Sequence, residues 1–410
     1  MNLKNNKMNQ TQTTQTNLTQ NNFALKKLQG IKPKGVKVKQ DNSKLSRLVS
    51  LCDVVNSQFS NLNIAGYLPI FDYVKEKLNK LVFDESDLIT FINARFNHDQ
   101  DPLLTGVYSG ALLDVLSSRN KENNLKTNIF LDGGHNRFDY LFAFANNVDD
   151  IILKNLKGDH IGNGIGSFGG KANNLFAENI EGSYLFNGVG MHEGFVNMVY
   201  ANNVAGFGTL HSIASSHGTV KSCIGINILG DRSLASVAFN CGKCDLIYCD
   251  TVRGNYLFMS SAGISGKIKN LICKNIEGKN VFDLVGSDRG SVGLAYVNGF
   301  TGTPSHTVYT DSGIGLLAVE NTVKSSRRDS DVIIAKGFLK DINSLFKYSD
   351  AINCRKEKAP EKYKKLVEKF KISQIRTIVD QMSYKDIDDL VIKSHQINAV
   401  YDTLEEVLTR

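Results

Sequence analysis

Glu193, His217 and Cys241 follow one another at intervals of 24 residues, and His192 precedes the glutamate. A thiol, an imidazole and a carboxylate on one column have the makings of a nucleophile–base pair, with the carboxylate orienting the imidazole. The same side chains could ligate a metal ion. A solvated corner is the favoured account, because each stands directly before a glycine (Gly194, Gly218, Gly242). A reactive thiol also needs an activating environment that the sequence does not display.

Two further constellations carry polar chemistry. Asp283, Asp288 and Arg289 precede His306 and Asp311. Carboxylates beside a histidine or arginine suit glycoside cleavage, where one carboxyl group is the acid and another the base or nucleophile. Ion-paired surface residues would have the same composition. His135 and Asp159 are also 24 apart, with His160 adjacent, and read as a surface hydrogen-bonded pair. Cys241 and Cys244 form a CxxC without the second pair that a closed zinc site requires, so no metal is assigned. Gly162, Gly164, Gly166, Gly169 and Gly170 imitate a phosphate loop, but no helix follows to present its N-terminus. No cofactor is assigned either.

What must position these residues is a repeat. Gly134, Gly158, Gly182, Gly206, Gly230, Gly254, Gly278 and Gly302 are 24 apart, as are Gly170, Gly194, Gly218, Gly242, Gly266 and Gly290. A fixed period of this length marks a solenoid whose coils cannot bury their apolar faces singly. Counting from Ile151 as position 1, with the first coil beginning at Thr127, positions 1, 2, 6 and 12 are mostly large and apolar. β-Branched and aromatic residues in short runs broken by glycine are strand signals. Position 5 is Asn155, Asn179, Asn203, Asn227, Thr251 and Asn275. Stacked asparagines bond from coil to coil and satisfy buried turn backbone. The glycines at position 8 read as corners at positive φ. Positions 1 and 3 are assigned inward. Position 2 then faces outward, with Phe176, Tyr200, Tyr248 and Tyr296 in an apolar stripe that a flanking helix, a second subunit or a ligand must cover.

The expected fold is an all-β solenoid: a parallel β-helix of about eight 24-residue coils between small α-helical N- and C-terminal segments. In coil length and turn ladders, residues 127–318 resemble the right-handed parallel β-helix architecture of pectate-lyase-like proteins. The resemblance implies architecture alone, because neither an Asn-Thr-Asp nor a Gly-His-Gly motif of the polygalacturonase type is present at a fitting place.

The rest of the 410-residue chain divides by composition. Residues 1–42 are Asn-, Gln- and Lys-rich and read as a disordered leader. Residues 43–123 read as a helical cap, although Gly110 also fits the grid and would allow a ninth coil over 103–126. Residues 127–320 are the β-helix, and 331–410 a helical C-terminal region covering the last coil. Nine lysines against one acid in residues 1–45 account for the net charge of +7 and leave the solenoid near neutral. No apolar run approaches the roughly 20 residues of a membrane span. The N-terminus has no signal-peptide core, so a cytoplasmic protein is expected. Seven cysteines without framework spacing read as reduced thiols. These features favour a non-catalytic scaffold or binding module that engages a protein or polymer along its side. The alternatives are a carbohydrate-active hydrolase or lyase, and nucleic-acid association through the Lys-rich leader.

Overall fold

The computed structural model describes residues 42–60, 67–78, 80–96, 101–304, 313–321, 332–335, 352–356, 358–382, 389 and 392–400. Among the described residues four helices come first: α1 (Asn42–Gln58), α2 (Leu68–Leu78), α3 (Glu85–Arg95) and α4 (Pro102–Glu122). Local chemistry starts the last two. Asp84 and Asp87 form a capping box, and the Asp101 carboxylate accepts from the Leu104 N–H ahead of Pro102.

Eleven strands then form one sheet in chain order: β1 (Asn128–Asp132), β2 (Asn147–Lys157), β3 (Lys171–Glu181), β4 (Phe195–Ala205), β5 (Thr219–Leu229), β6 (Lys243–Arg253), β7 (Lys267–Val281), β8 (Ser291–Pro304), β9 (Ile314–Glu320), β10 (Val332–Ala335) and β11 (Ile352–Arg355). Strands β1 to β8 each pair with the next in parallel, which makes the body a β-solenoid. From β2 to β8 every step is 24 residues, as in Ile151↔Leu175↔Val199↔Cys223↔Ile247↔Leu271↔Ala295.

The end steps differ from the expected grid. β1 pairs with β2 through Ile129↔Ile151, and β8 with β9 through Val292↔Ile314, both steps of 22. Gly134 therefore does not stand beneath Gly158, which lies against Phe138 instead. The cause is the cap: the first coil rests on α4 rather than on another coil. Residues 103–126 do not form a ninth coil, since α4 occupies most of them. Gly106 and Gly110 let this helix touch the coil, because a Cβ on either would overlap the carbonyl oxygen of Tyr140 or Ala143. α4 also supplies hydrogen-bond partners to the exposed edge: Ser109 Oγ accepts from Phe142 N–H (2.9 Å) and the Asp114 carboxylate from Asn147 N–H (2.7 Å).

Each coil has a strand wall and a back wall. On the strand wall Val148, Ile151, Leu153 and Leu156 set the inward pattern at positions 22, 1, 3 and 6, and all are buried. The chain bends at position 5, where Asn155, Asn179, Asn203 and Asn227 are left-handed (φ 53, 58, 54 and 49°), a conformation asparagine tolerates. On the back wall the left-handed residues alternate with right-handed ones. Leu210 and Ala214 donate to Leu185 and Val189 of the preceding coil, and Ser212 and Ser216 to Ala235 and Phe239 of the next, all at 2.9 Å. Those inter-coil bonds hold bulky residues in a conformation that costs roughly 1–2 kcal/mol each.

The position-8 glycines have two causes: Gly158, Gly182, Gly254 and Gly302 lie at positive φ (142, 153, 158 and 127°), as expected, and a close contact between coils adds to it. Gly206, Gly230 and Gly278 are not left-handed, yet a Cβ on each would overlap the carbonyl oxygen of the glycine one coil earlier. Contact between coils therefore demands glycine there even without a positive-φ corner, and Gly182, Gly254 and Gly302 meet the same contact as well as the corner. Position 20 repeats the device: a Cβ on Gly194, Gly218, Gly242, Gly266 or Gly290 would strike the position-16 carbonyl of the preceding coil.

The C-terminal region is not helical throughout, because β10 and β11 first extend the sheet in antiparallel fashion. Helices α5 (Pro360–Lys369), α6 (Ile372–Gln381) and α7 (392–400) follow. They lie on the outside of the strand wall and close a second core, distinct from the coil interior. No helix among the described residues is long and apolar enough to cross a membrane. Of the expected leader, residues 1–42, all but Asn42 lie outside the described residues, and Asn42 opens α1.

Candidate functional site

The register aligns Glu193, His217 and Cys241 on one corner, because the turn before each position-20 glycine recurs coil by coil. All three are left-handed, and each backbone N–H bonds to the next coil, at Ser216 (3.3 Å), Asn240 (3.0 Å) and Ile264 (2.8 Å). Their side chains point into solvent: Glu193 and His217 are exposed and Cys241 is half-buried. No hydrogen bond joins the three. His192 does not turn to Glu193 but stacks on Phe168, with ring centroids 4.6 Å apart. Among the described residues no three of His, Cys, Asp and Glu are arranged to hold a metal ion.

The other polar groups are also placed apart. Asp283 is half-buried on the back wall, whereas Asp288 and Arg289 are exposed at the corner beyond it. His306 and Asp311 lie outside the described residues. Asp159 does not pair with His135. Its carboxylate accepts from Arg137 (2.6 Å) and Ser183 N–H (2.8 Å), since the shortened first coil brings Arg137 alongside. His160 stacks between Tyr140 and Tyr184, with centroids at 4.6 and 4.9 Å, and burial pushes its imidazole below the ordinary range. Cys241 faces outward while Cys244 is buried, so the CxxC spans the wall. Cys223, Cys249 and Cys273 are also buried. Burial pushes the thiols of Cys223, Cys244 and Cys249 well up, which removes them as nucleophiles.

The position-2 stripe faces outward, and it is covered over its C-terminal half. Tyr248 and Tyr296 are fully buried beneath a layer built from Tyr363, Leu366, Phe370, Ile372, Ile375 and Ile397. Here the stripe packs within the chain, as a flanking helix would require. Tyr296 Oη donates to Glu320 Oε2 (2.7 Å), and the Arg376 guanidinium holds both oxygens of the same buried carboxylate. Phe176 and Tyr200 are only half-buried at the margin of this layer.

Side chains on the remaining outward columns are matched from coil to coil. Asn179 donates to Asn155 (2.9 Å) and Asn203 to Asn179 (2.7 Å). This ladder is half-exposed to exposed, so it does not serve buried backbone as expected. Columns 4 and 7 carry the ion pairs Lys154–Glu178 (2.7 Å), Lys157–Glu181 (2.8 Å) and Arg253–Glu277 (3.2 Å). Columns 21 and 23 carry a further set of charges that residue type alone does not single out. There Lys171, Lys221, Lys243, Lys267 and Lys269 are exposed and have no ion-pair partner among the described residues. Sorting the charges by coil position would have found them. The near-zero total for the solenoid hid the segregation.

The chain matches no protein-family model, no curated protein and no solved structure.

Proposed function

We propose that the protein is a non-catalytic binding scaffold that engages an extended partner, a protein or a polymer, along the side of its solenoid. The observation that supports this is the register. Seven consecutive strands repeat at 24 residues, so outward side chains recur at about 4.8 Å along straight columns. A linear partner with a repeating chemical unit can meet such a column many times, adding weak contacts in one bound state. The interior gives the columns a rigid backing, because its core runs through every coil.

The test is to incubate the full chain with oligonucleotides, uronate oligosaccharides and extended peptides, then measure binding and polymer length together. A scaffold binds at least one class and leaves its length unchanged. Shortening of a bound polysaccharide would replace this reading with the hydrolase or lyase.

A further inference from the structure

Charge on this solenoid is sorted by face. Columns 4 and 7 of β2 to β7 carry Lys154, Lys157, Arg253 and Lys274 against Glu178, Glu181, Asp250 and Glu277, and three of the opposite pairs are closed between coils. Columns 21 and 23 of β3 to β8 carry five lysines against Asp245 alone. Lys171, Lys243 and Lys267 belong to column 21, in register with Phe195 and Thr219. Lys221 and Lys269 lie two residues further along their strands, on the same outward face. Glu193, Asp288 and Arg289, on the corner beside them, leave the sign of this face positive. Asp245 stands between Lys221 and Lys269 in column 23 and offsets part of this charge; the remaining like charges repel one another, and an anionic partner relieves that repulsion.

The file has the dimensions of a single polymer backbone. It runs over four steps of about 4.8 Å and is only two alternate residues wide, about 7 Å. A duplex presents two backbones across a groove and would use a broader face. Lysine ammoniums are compact point charges suited to phosphate oxygens, without the bidentate geometry of arginine. Phe195 stands in the lysine column, half-buried, with Lys221 Nζ 5.7 Å from its ring centroid. An aromatic ring interleaved with cations is the arrangement that stacks a base while the backbone tracks the charges.

We infer that Lys171, Lys221, Lys243, Lys267 and Lys269, with Phe195, form a docking ridge for single-stranded nucleic acid. This rests on the scaffold reading above and names its partner and face. The probe is a fluorescent oligothymidylate, titrated with the full chain across a salt series. Five phosphate contacts predict a log–log salt slope of about −3.5, and K243Q/K267Q/K269Q should flatten it by about 2. The same variant should lose at least roughly tenfold in affinity at low salt. F195L should weaken binding several-fold at unchanged slope, because it removes stacking and no charge. K154Q/K157Q/K274Q should bind like the parent protein, and thermal melts of each variant establish that it is folded. Equal losses from the two triple variants would overturn the ridge. So would binding that disappears only when Lys26, Lys27, Lys32 and Lys34 of the leader are changed to Gln. A sulfated oligosaccharide that binds more tightly than the oligonucleotide and ignores F195L would overturn the nucleic-acid assignment. Shortening of the probe would instead defeat the scaffold reading beneath it.

Discussion

At Gly230 a single methyl group would overlap the carbonyl oxygen of Gly206, one coil away. Gly230→Ala should therefore lower stability by about 2–3 kcal/mol, the range of overpacking in a closed contact. Gly134 is left-handed (φ +56°) with open space around its missing Cβ, so Gly134→Ala should cost only about 1 kcal/mol. Urea unfolding of both variants checks the pair, and equal costs would mean that backbone conformation, not stacking, selects glycine. A glycine column is visible in sequence, but its cause is not, because a tight contact and a left-handed turn leave the same letter. Asn179 allows a similar separation. Asn179→Ala loses both of its partly exposed ladder bonds, to Asn155 and from Asn203, and a residue suited to φ 58°, and should cost about 1–2 kcal/mol. Asn179→Gly keeps the backbone preference, so full recovery in that variant would show that the side-chain ladder contributes nothing. His160 and His211 give the fold a pH signature. Burial lowers both imidazoles, with Arg232 adding to the effect at His211. The unfolded chain then binds more protons below about pH 6.5, so stability is fully present above that pH and falls as the medium is acidified through the lowered native values. His160→Asn should flatten that fall between pH 7 and 5 in chemical unfolding, and an unchanged pH profile would contradict the assignment.

The helices α5 to α7 and the strand wall hold one another through a layer that the sequence shows only from one side. The helical pattern of residues 360–381 is legible, and so is an outward stripe needing cover. Which coils it covers depends on contacts such as Arg376 with Glu320, 56 residues apart, that no local pattern carries. Arg376→Gln leaves the buried Glu320 carboxylate with the Tyr296 hydroxyl and without its cation. It should cost about 2 kcal/mol. It should also speed amide exchange in α6 while β2 to β4 keep their protection. Faster exchange throughout the solenoid would show that the helices are part of its cooperative core. The back wall was the least legible element. Residues such as Leu234, Phe258 and Ile264 do not signal a left-handed backbone, and only bonds to both neighbouring coils keep them there.

As a whole molecule the protein is a stack whose period was plain in the sequence, whereas its two shortened end steps were not: the first arises where α4 replaces a coil, and the last where the sheet passes from parallel coils to the antiparallel β10. A solenoid with nearest-neighbour contacts should tolerate loss of one full period. Deleting residues 207–230 removes 24 positions and restores every column, so cooperative thermal unfolding should persist at a somewhat lower midpoint. Deleting residues 207–229 shifts the following strands by one position and turns their inward side chains outward, and that chain should not fold. Equal behaviour of the two deletions in circular-dichroism melts would contradict register-locked stacking. The function was less legible than the fold. Its candidate nucleophile and carboxylates drew attention by residue type, while the lysine file is made of ordinary surface residues and acquires meaning only from their alignment. The central claim is that this alignment is the binding surface. Lysine acetylation of the full chain, read by mass spectrometry with and without oligothymidylate, tests it most directly. Protection is expected at Lys171, Lys221, Lys243, Lys267 and Lys269, with Lys154, Lys157 and Lys274 labelled equally in both samples. Protection confined to the lysines between Lys4 and Lys44, or spread evenly over all faces, would contradict it.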